Sequence, residues 1–144
     1  MISVNEHALR LVKTAFMVFR DPPVKVAARM QALQDFKGLR VSQLAKWTDV
    51  DLEGADYWNA NFSSALATWL ACWMGCEPVL LAGMDLYQGK QKYFYEYPNL
   101  ILTASHVASA GVQMRAWRQA WEKCLRPEVI RAMSGPLMEV FGGY

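Results

Sequence analysis

The chain has 144 residues and a formal net charge of +2; 53% of its residues are hydrophobic and 19% are charged. This composition predicts one packed globular domain and argues against a disordered chain. The small net charge gives no electrostatic case for nucleic acid binding, which usually requires a clustered basic face, so we expect no nucleic acid partner.

The most apolar stretch, residues 62–84, is interrupted by Glu77 and Pro78. The longest uninterrupted apolar run in this stretch is shorter than the roughly 20 residues that a helix needs to span a bilayer. The first residues lack the basic start and apolar core of a signal peptide. The three cysteines cannot all pair with one another in disulfides. Free thiols are typical of proteins in a reducing compartment, so no disulfide framework is expected. We therefore expect a cytoplasmic protein without a membrane span, with Cys72 and Cys76 packed in the core rather than bound to a metal.

Strand and helix signals alternate along the first half of the chain. A proline pair at residues 22–23 ends one strand and permits the next helix to begin. Residues 47–58 show only loop signals, with room for one helical turn. The predicted elements are a strand over residues 2–4 that ends in Asn5, a helix over 6–12, a strand over 15–19, a helix over 24–33 and a strand over 39–44.

The second half contains two long helical patterns separated by a buried strand and a loop. Asn61 or Ser63 is a plausible N-cap for a helix that runs to residue 74, and Gly75 is a natural residue to follow it. Residues 79–82 predict a central strand buried on both faces. The remaining predicted elements are a polar, tyrosine-rich, lid-like loop over residues 86–105, a helix over 107–124, a strand over 129–131 and a short C-terminal helix with a tail.

This alternation predicts a single α/β domain over residues 1–144, with a mostly parallel sheet flanked by helices. In such sheets, ligands bind beyond the carboxyl ends of the strands. Asp85 and Tyr87 directly follow the predicted buried strand and mark a candidate site. Two tryptophan pairs with i, i+4 spacing, Trp69 with Trp73 and Trp117 with Trp121, indicate core or interface packing.

Several motifs occur in a fixed order. Ser63-Ser64-Ala65 begins the first long helix, Gly75 follows it, and Gly83-Met84-Asp85-Leu86-Tyr87-Gln88 follows the strand. Tyr93 lies six residues after Tyr87, and His106 precedes the second long helix. With residues 4–22 and 130–141, this order resembles the bacterial Rossmann-type sialyltransferases. It also resembles related domains of unknown function, which include MptE-like pterin pyrophosphokinases and many phage-encoded proteins.

One part of the family pattern is missing. The sialyltransferases open with a strand and a glycine-rich loop that approaches the nucleotide phosphate, whereas Met1 falls where their second strand begins. The resemblance therefore implies a Rossmann-like domain without the first strand and its glycine-rich loop. A sheet without a central strand has open edges. We expect neighbouring strands, a second copy of the chain or a partner protein to cover them.

The resemblance assigns binding roles to residues at strand ends and at a helix start. Asn5 would contact the nucleotide or position the donor sugar, although asparagine also suits a plain turn. Ser63 and Ser64 would bind the base or a carboxylate, and N-capping explains them equally well. Gly83 belongs to the same binding motif. Asp85 would hold a ribose or base edge, or else cap the turn that follows the strand.

The resemblance places the chemistry on Tyr87, Tyr93 and His106. The two tyrosines would hydrogen-bond the phosphate and assist departure of CMP without a metal, or they would simply pack the loop. His106 would be the general base toward the acceptor hydroxyl, a role that suits an ordinary histidine pKa near 6.5. The other interpretation is a structural or exposed histidine. No resident cofactor is expected; CMP or a nucleotide sugar would be the substrate.

Three functions remain open at this point. The first is a glycosyltransferase-like domain that binds a nucleotide sugar. The second is a non-catalytic phage or prophage protein that uses the fold for oligomerisation or for contact with a host protein. The third is a pterin or nucleotide diphosphotransferase, which would need a metal held by carboxylates; Asp49, Asp51 and Glu53 form the densest acidic group.

Overall fold

The computed structural model describes residues 1–20, 27–52, 63–84, 111–115, 117–118, 122 and 126–144. The chain divides into two compact units, Met1–Met74 and Gly75–Tyr144. Each unit contains a small parallel sheet flanked by helices, so the protein is a mixed α/β protein. In the part of the chain that the structure describes, no helix is long and apolar enough to cross a membrane.

The first unit is built on a four-stranded sheet in which the strands follow one another in chain order. Every neighbouring pair is parallel, and one row of the sheet aligns Val4, Val18 and Val41. The connection from the second to the third strand contains an α-helix, Ala27–Asp35, and the other two connections contain short 3-10 helices. The strands are β1 (Ile2–Val4), β2 (Phe16–Val18), β3 (Leu39–Ser42) and β4 (Val50–Asp51).

Two helices cover opposite faces of this sheet. Since side chains alternate along a strand, Val18 and Val41 lie on one face, where they pack against Leu66 of helix α2 (Ser63–Trp73). Met17 and Phe19 lie on the other face with Leu33 of helix α1 (Ala27–Asp35). Burial on both faces explains why β2 reads as an uninterrupted apolar run.

The predicted elements of this unit are largely confirmed. Three strands lie within the predicted segments, and α2 ends at Trp73, just before Gly75, whose φ is +76°. The helix predicted over residues 6–12 is a 3-10 helix, His7–Arg10. The prediction of a loop with one helical turn after residue 47 missed β4, a two-residue strand, because Val50-Asp51 carries no alternating pattern of its own.

The second unit contains a two-stranded parallel sheet formed by β5 (Val79–Leu81) and β6 (Ile130–Ala132). A 3-10 helix, Pro127–Val129, precedes β6, and a short helix, Met138–Phe141, follows it. Residues 111–115 and 117–118 are helical, as the sequence predicts. Trp117 is fully buried and meets Phe141 edge to face, with the ring centroids 5.4 Å apart.

Two expectations about burial are wrong. Residues 79–82 do not form a strand buried on both faces, because Leu80 is 40% exposed and β5 pairs only with β6 among the described strands. Cys72 and Cys76 are half-buried rather than packed in the core. Both segments are apolar in sequence, but an apolar run specifies burial only where a neighbouring element covers it.

Candidate functional site

The carboxyl ends of β1, β2 and β3 meet at one edge of the four-stranded sheet. Backbone hydrogen bonds continue past the strand ends: the Asn5 N–H donates to the Val18 carbonyl at 2.9 Å, and the Phe19 N–H donates to the Val41 carbonyl at 3.2 Å. These bonds hold the chain segments side by side just where the strands finish. We call this region the carboxyl edge; it comprises Asn5, Glu6, Phe19, Arg20 and Ser42.

Asn5 turns the chain at the end of β1. Its φ is +58°, a left-handed conformation that asparagine tolerates better than most residues. The turn interpretation of Asn5 is therefore confirmed. Its Oδ1 atom is also buried and makes no hydrogen bond in the described part of the chain. A buried acceptor without a donor is unfavourable, so this atom is suited to receive a hydrogen bond from a ligand.

Helix α2 begins at the same edge. Ser63 is buried, and its Oγ atom accepts a hydrogen bond from the Arg20 N–H at 3.1 Å. This bond fixes the start of α2 against the chain that leaves β2. A helix start carries N–H groups without intrahelical partners and a partial positive charge, which together favour polar or anionic ligands. Ser64 is half-buried next to it, and its carbonyl accepts from the Thr68 hydroxyl at 2.9 Å.

The structure therefore brings together two of the predicted site segments. Asn5 is bonded to Val18 of β2, and Arg20, two residues further along, is bonded to Ser63. Gly83 lies in the second unit, with φ +66° and open space where a Cβ atom would stand. The other predicted site residues and the lid-like loop over 86–105 lie outside the described residues and stay predictions: Asp85, Tyr87, Tyr93 and His106.

The sequence analysis missed two polar residues of the carboxyl edge. Ser42, the last residue of β3, is 0% exposed, and its Oγ atom has no hydrogen-bond partner within the described ranges. Glu6 directly follows Asn5 and is only 4% exposed. The signal that could have identified both is their position, because each lies at the end of a strand in a sheet predicted to be parallel.

The acidic group behind the diphosphotransferase hypothesis has a structural explanation. Both carboxylate oxygens of Asp49 accept from the Arg40 guanidinium, at 2.8 Å from Nε and 2.5 Å from Nη2. This hydrogen bonding lowers the pKa of Asp49 to about 2. Asp51 lies in β4, and Glu53 falls outside the described residues. Within the described ranges, no group of three or more His, Cys, Asp or Glu residues could hold a metal ion.

Comparison of the chain with protein-family models, with curated proteins and with solved structures found no match. The carboxyl edge and the motif order in the sequence are therefore the features of this chain that bear on its function.

Proposed function

We propose that this chain is a Rossmann-like, sialyltransferase-like domain that binds a nucleotide or nucleotide sugar at the carboxyl edge of its four-stranded sheet. One observation carries the proposal. The Oδ1 atom of Asn5 is buried and has no hydrogen-bond partner among the described residues, and Asn5 is bonded to β2, the strand after which Arg20 anchors the start of α2 at Ser63. The edge thus offers a hydrogen-bond acceptor for a base or sugar and a helix start for an anionic group.

The motif order of the sequence supports the nucleotide in particular. Asn5, Ser63 and Ser64 occupy positions that the resemblance assigns to nucleotide and donor-sugar contacts, and of these Asn5 and Ser63 are bonded to β2 and to the chain that leaves it. The resemblance assigns transfer chemistry to His106, Tyr87 and Tyr93, so we propose binding as the primary activity and glycosyl transfer as its extension.

Calorimetric titration of the full chain with CMP tests the binding proposal. We expect saturable binding that is weakened at least tenfold in Asn5→Gly, since glycine keeps the left-handed turn but removes the amide. Thr14→Ala is the matched control, because Thr14 donates to Ser3 within the sheet and lies away from the carboxyl edge. No heat at millimolar CMP, or equal affinity in Asn5→Gly, would contradict the proposal.

Transfer is measured separately, as CMP release from CMP-sialic acid with a panel of acceptors. Release that is lost in His106→Ala but retained in His7→Ala would support the catalytic extension. Binding of CMP without any release would leave a nucleotide-binding domain and rule out the transferase.

One feature favours the second candidate, a protein-interaction or oligomerisation module. Trp73 at the end of α2 is 66% exposed and stacks on Trp69, with ring centroids 6.0 Å apart. Large exposed aromatic side chains are common in protein interfaces. Light scattering of the purified chain tests this candidate. An oligomer that dissociates in Trp73→Ser, but not in the control Leu11→Ser, supports it; a monomer at all concentrations argues against self-association.

A further inference from the structure

A cleft of about 150 Å³ lies on the α1 side of the first unit. One face of α1 supplies Met30, Leu33 and Gln34, whose i, i+3 and i+4 spacing places them together. Arg40 of β3 and the 3-10 helix Ala45–Trp47 form the other walls. Among the described residues, the cleft is lined by Met30, Leu33, Gln34, Arg40, Lys46, Trp47 and Thr48.

This cleft is distinct from the carboxyl edge. Arg40 lies near the amino end of β3, two residues before Ser42, and α1 covers the face of the sheet opposite α2. The residues that anchor Asn5 and Ser63 do not line the cleft. Its properties can therefore be tested independently of nucleotide binding.

Among the described residues, the cleft is lined by two cationic side chains, Arg40 and Lys46. Asp49 does not line the cleft but is paired with Arg40, so the three side chains together carry a net charge of +1. Asp49 holds Arg40 through a two-point fork and also accepts from the Arg40 backbone N–H at 2.8 Å. The fork uses Nε and Nη2, so the guanidinium is fixed in position while Nη1 takes no part in it. Lys46 adds a second cation, and its Nζ atom lies 5.2 Å from the centroid of the Trp47 ring.

The walls are as much apolar as polar. Leu33 is buried, Met30 and Trp47 are half-buried, and Trp47 packs at the border of the α1-side core. An apolar cavity of about 150 Å³ is large enough for one six-membered ring. A small, strongly hydrated inorganic anion would make no contact with the apolar walls of the cleft. A nucleotide is several times larger than the cleft volume.

From this combination we infer that the cleft binds a small carboxylate with a single-ring or comparably sized apolar body. The carboxylate would lie toward Arg40 and Lys46, where two cations oppose one acidic side chain. The apolar body would contact Met30, Leu33 and the Trp47 ring. Asp49 occupies the Nε–Nη2 fork and holds the guanidinium in place, so Arg40 would offer Nη1 to one oxygen of the ligand carboxylate without reorganising.

The test is a ¹H–¹⁵N NMR titration of the intact chain with benzoate, with benzyl alcohol and inorganic phosphate as comparison probes. We expect benzoate to shift the Trp47 indole N–H and the backbone amides of Arg40 and Lys46 in a saturable way. Benzyl alcohol lacks the charge and phosphate lacks the ring, so each should bind several-fold more weakly.

Two lysine variants make the test specific. Lys46→Gln should weaken benzoate about threefold to fivefold, the range of a solvent-exposed ion pair. Lys37→Gln is the matched control, because Lys37 is exposed in the same unit but does not line the cleft. Absence of saturable shifts, equal binding of phosphate and benzoate, or equal weakening in both variants would each overturn the inference.

Discussion

Polar groups at the two ends of the four-stranded sheet have different surroundings. At the amino end, Arg40 donates three hydrogen bonds to the Asp49 carboxylate and accepts one from the Asp49 N–H, and the Leu39 N–H donates to the Ala15 carbonyl at 2.9 Å. At the carboxyl end, Asn5 Oδ1 and Ser42 Oγ are buried without partners in the described part of the chain. Buried polar atoms are usually paired, and exceptions concentrate at functional sites. The Arg40–Asp49 pair therefore stabilises the fold at the amino end, whereas the carboxyl end holds buried polar atoms whose hydrogen-bonding capacity is unused within the described residues.

The largest expected effect is at the amino end. A Cβ atom at Gly38 would overlap the Ala15 carbonyl oxygen and the Phe36 ring. We expect Gly38→Ala to lower the free energy of unfolding by about 2–3 kcal/mol, because backbone has to move. Urea denaturation measures this change. Gly111→Ala is the control: the nearest atom lies 3.9 Å from the added Cβ, so that helical variant should be as stable as the parent or slightly more so.

A second prediction separates the two roles of Asn5. Its left-handed φ disfavours alanine but not glycine, so Asn5→Gly should be more stable than Asn5→Ala by roughly 1–2 kcal/mol in the same denaturation assay. Both variants lose the amide and should bind CMP equally poorly. If the glycine variant bound CMP as well as the parent does, the amide would have only its turn role.

Alanine substitution of two buried serines, one with hydrogen-bond partners and one without, tests this comparison directly, with a smaller expected change in stability. Ser3 donates to the Phe16 carbonyl at 3.3 Å and accepts from Thr14, whereas Ser42 Oγ has no hydrogen-bond partner among the residues that the structure describes. We expect Ser3→Ala to cost about 1 kcal/mol of stability and Ser42→Ala to be neutral or stabilising. Thermal denaturation of the two variants measures both. A loss of stability in Ser42→Ala equal to that in Ser3→Ala would mean that the two ends do not differ in this way.

The smallest expected effect is the pH dependence of the Arg40–Asp49 pair. Its hydrogen bonds lower the pKa of Asp49 from 3.8 to about 2, so the folded state holds that proton less tightly than the unfolded chain. The stabilisation from the ionised Asp49 is therefore fully present well above its ordinary pKa of 3.8 and is lost as the pH falls toward 2. Because these side chains are 35% and 30% exposed, we expect only about 0.5–1 kcal/mol.

Chemical denaturation of the parent and of Asp49→Asn between pH 6 and pH 2 measures this contribution. The stability difference should be present at pH 6 and should vanish near pH 2. A difference that persists unchanged at pH 2 would show that the carboxylate charge is not its cause.

Much of the first unit could be predicted from the sequence. Residues 2–4, with two apolar side chains around Ser3, and the apolar residues 16–18 are short runs close to turn signals and so predict strands, and Asn5 marks the end of the first. The α2 pattern and Gly75 predicted a helix and its end within one residue. Ser42 and Glu6 were missed because neither has an unusual local pattern; their importance comes from which strands lie beside them.

The site candidates Asn5, Ser63 and Ser64 came from the resemblance to the sialyltransferases, whereas the amino-acid sequence by itself determined the α/β class and the positions of most strands and helices. These features follow from local periodicity, turn preferences and helix starts, which involve residues close together in the chain. Only the tertiary structure decided that Arg20 anchors Ser63, that Asp49 pairs with Arg40, and that Leu80 is exposed. Those facts depend on contacts between segments far apart in sequence, and no local pattern specifies which segments become neighbours.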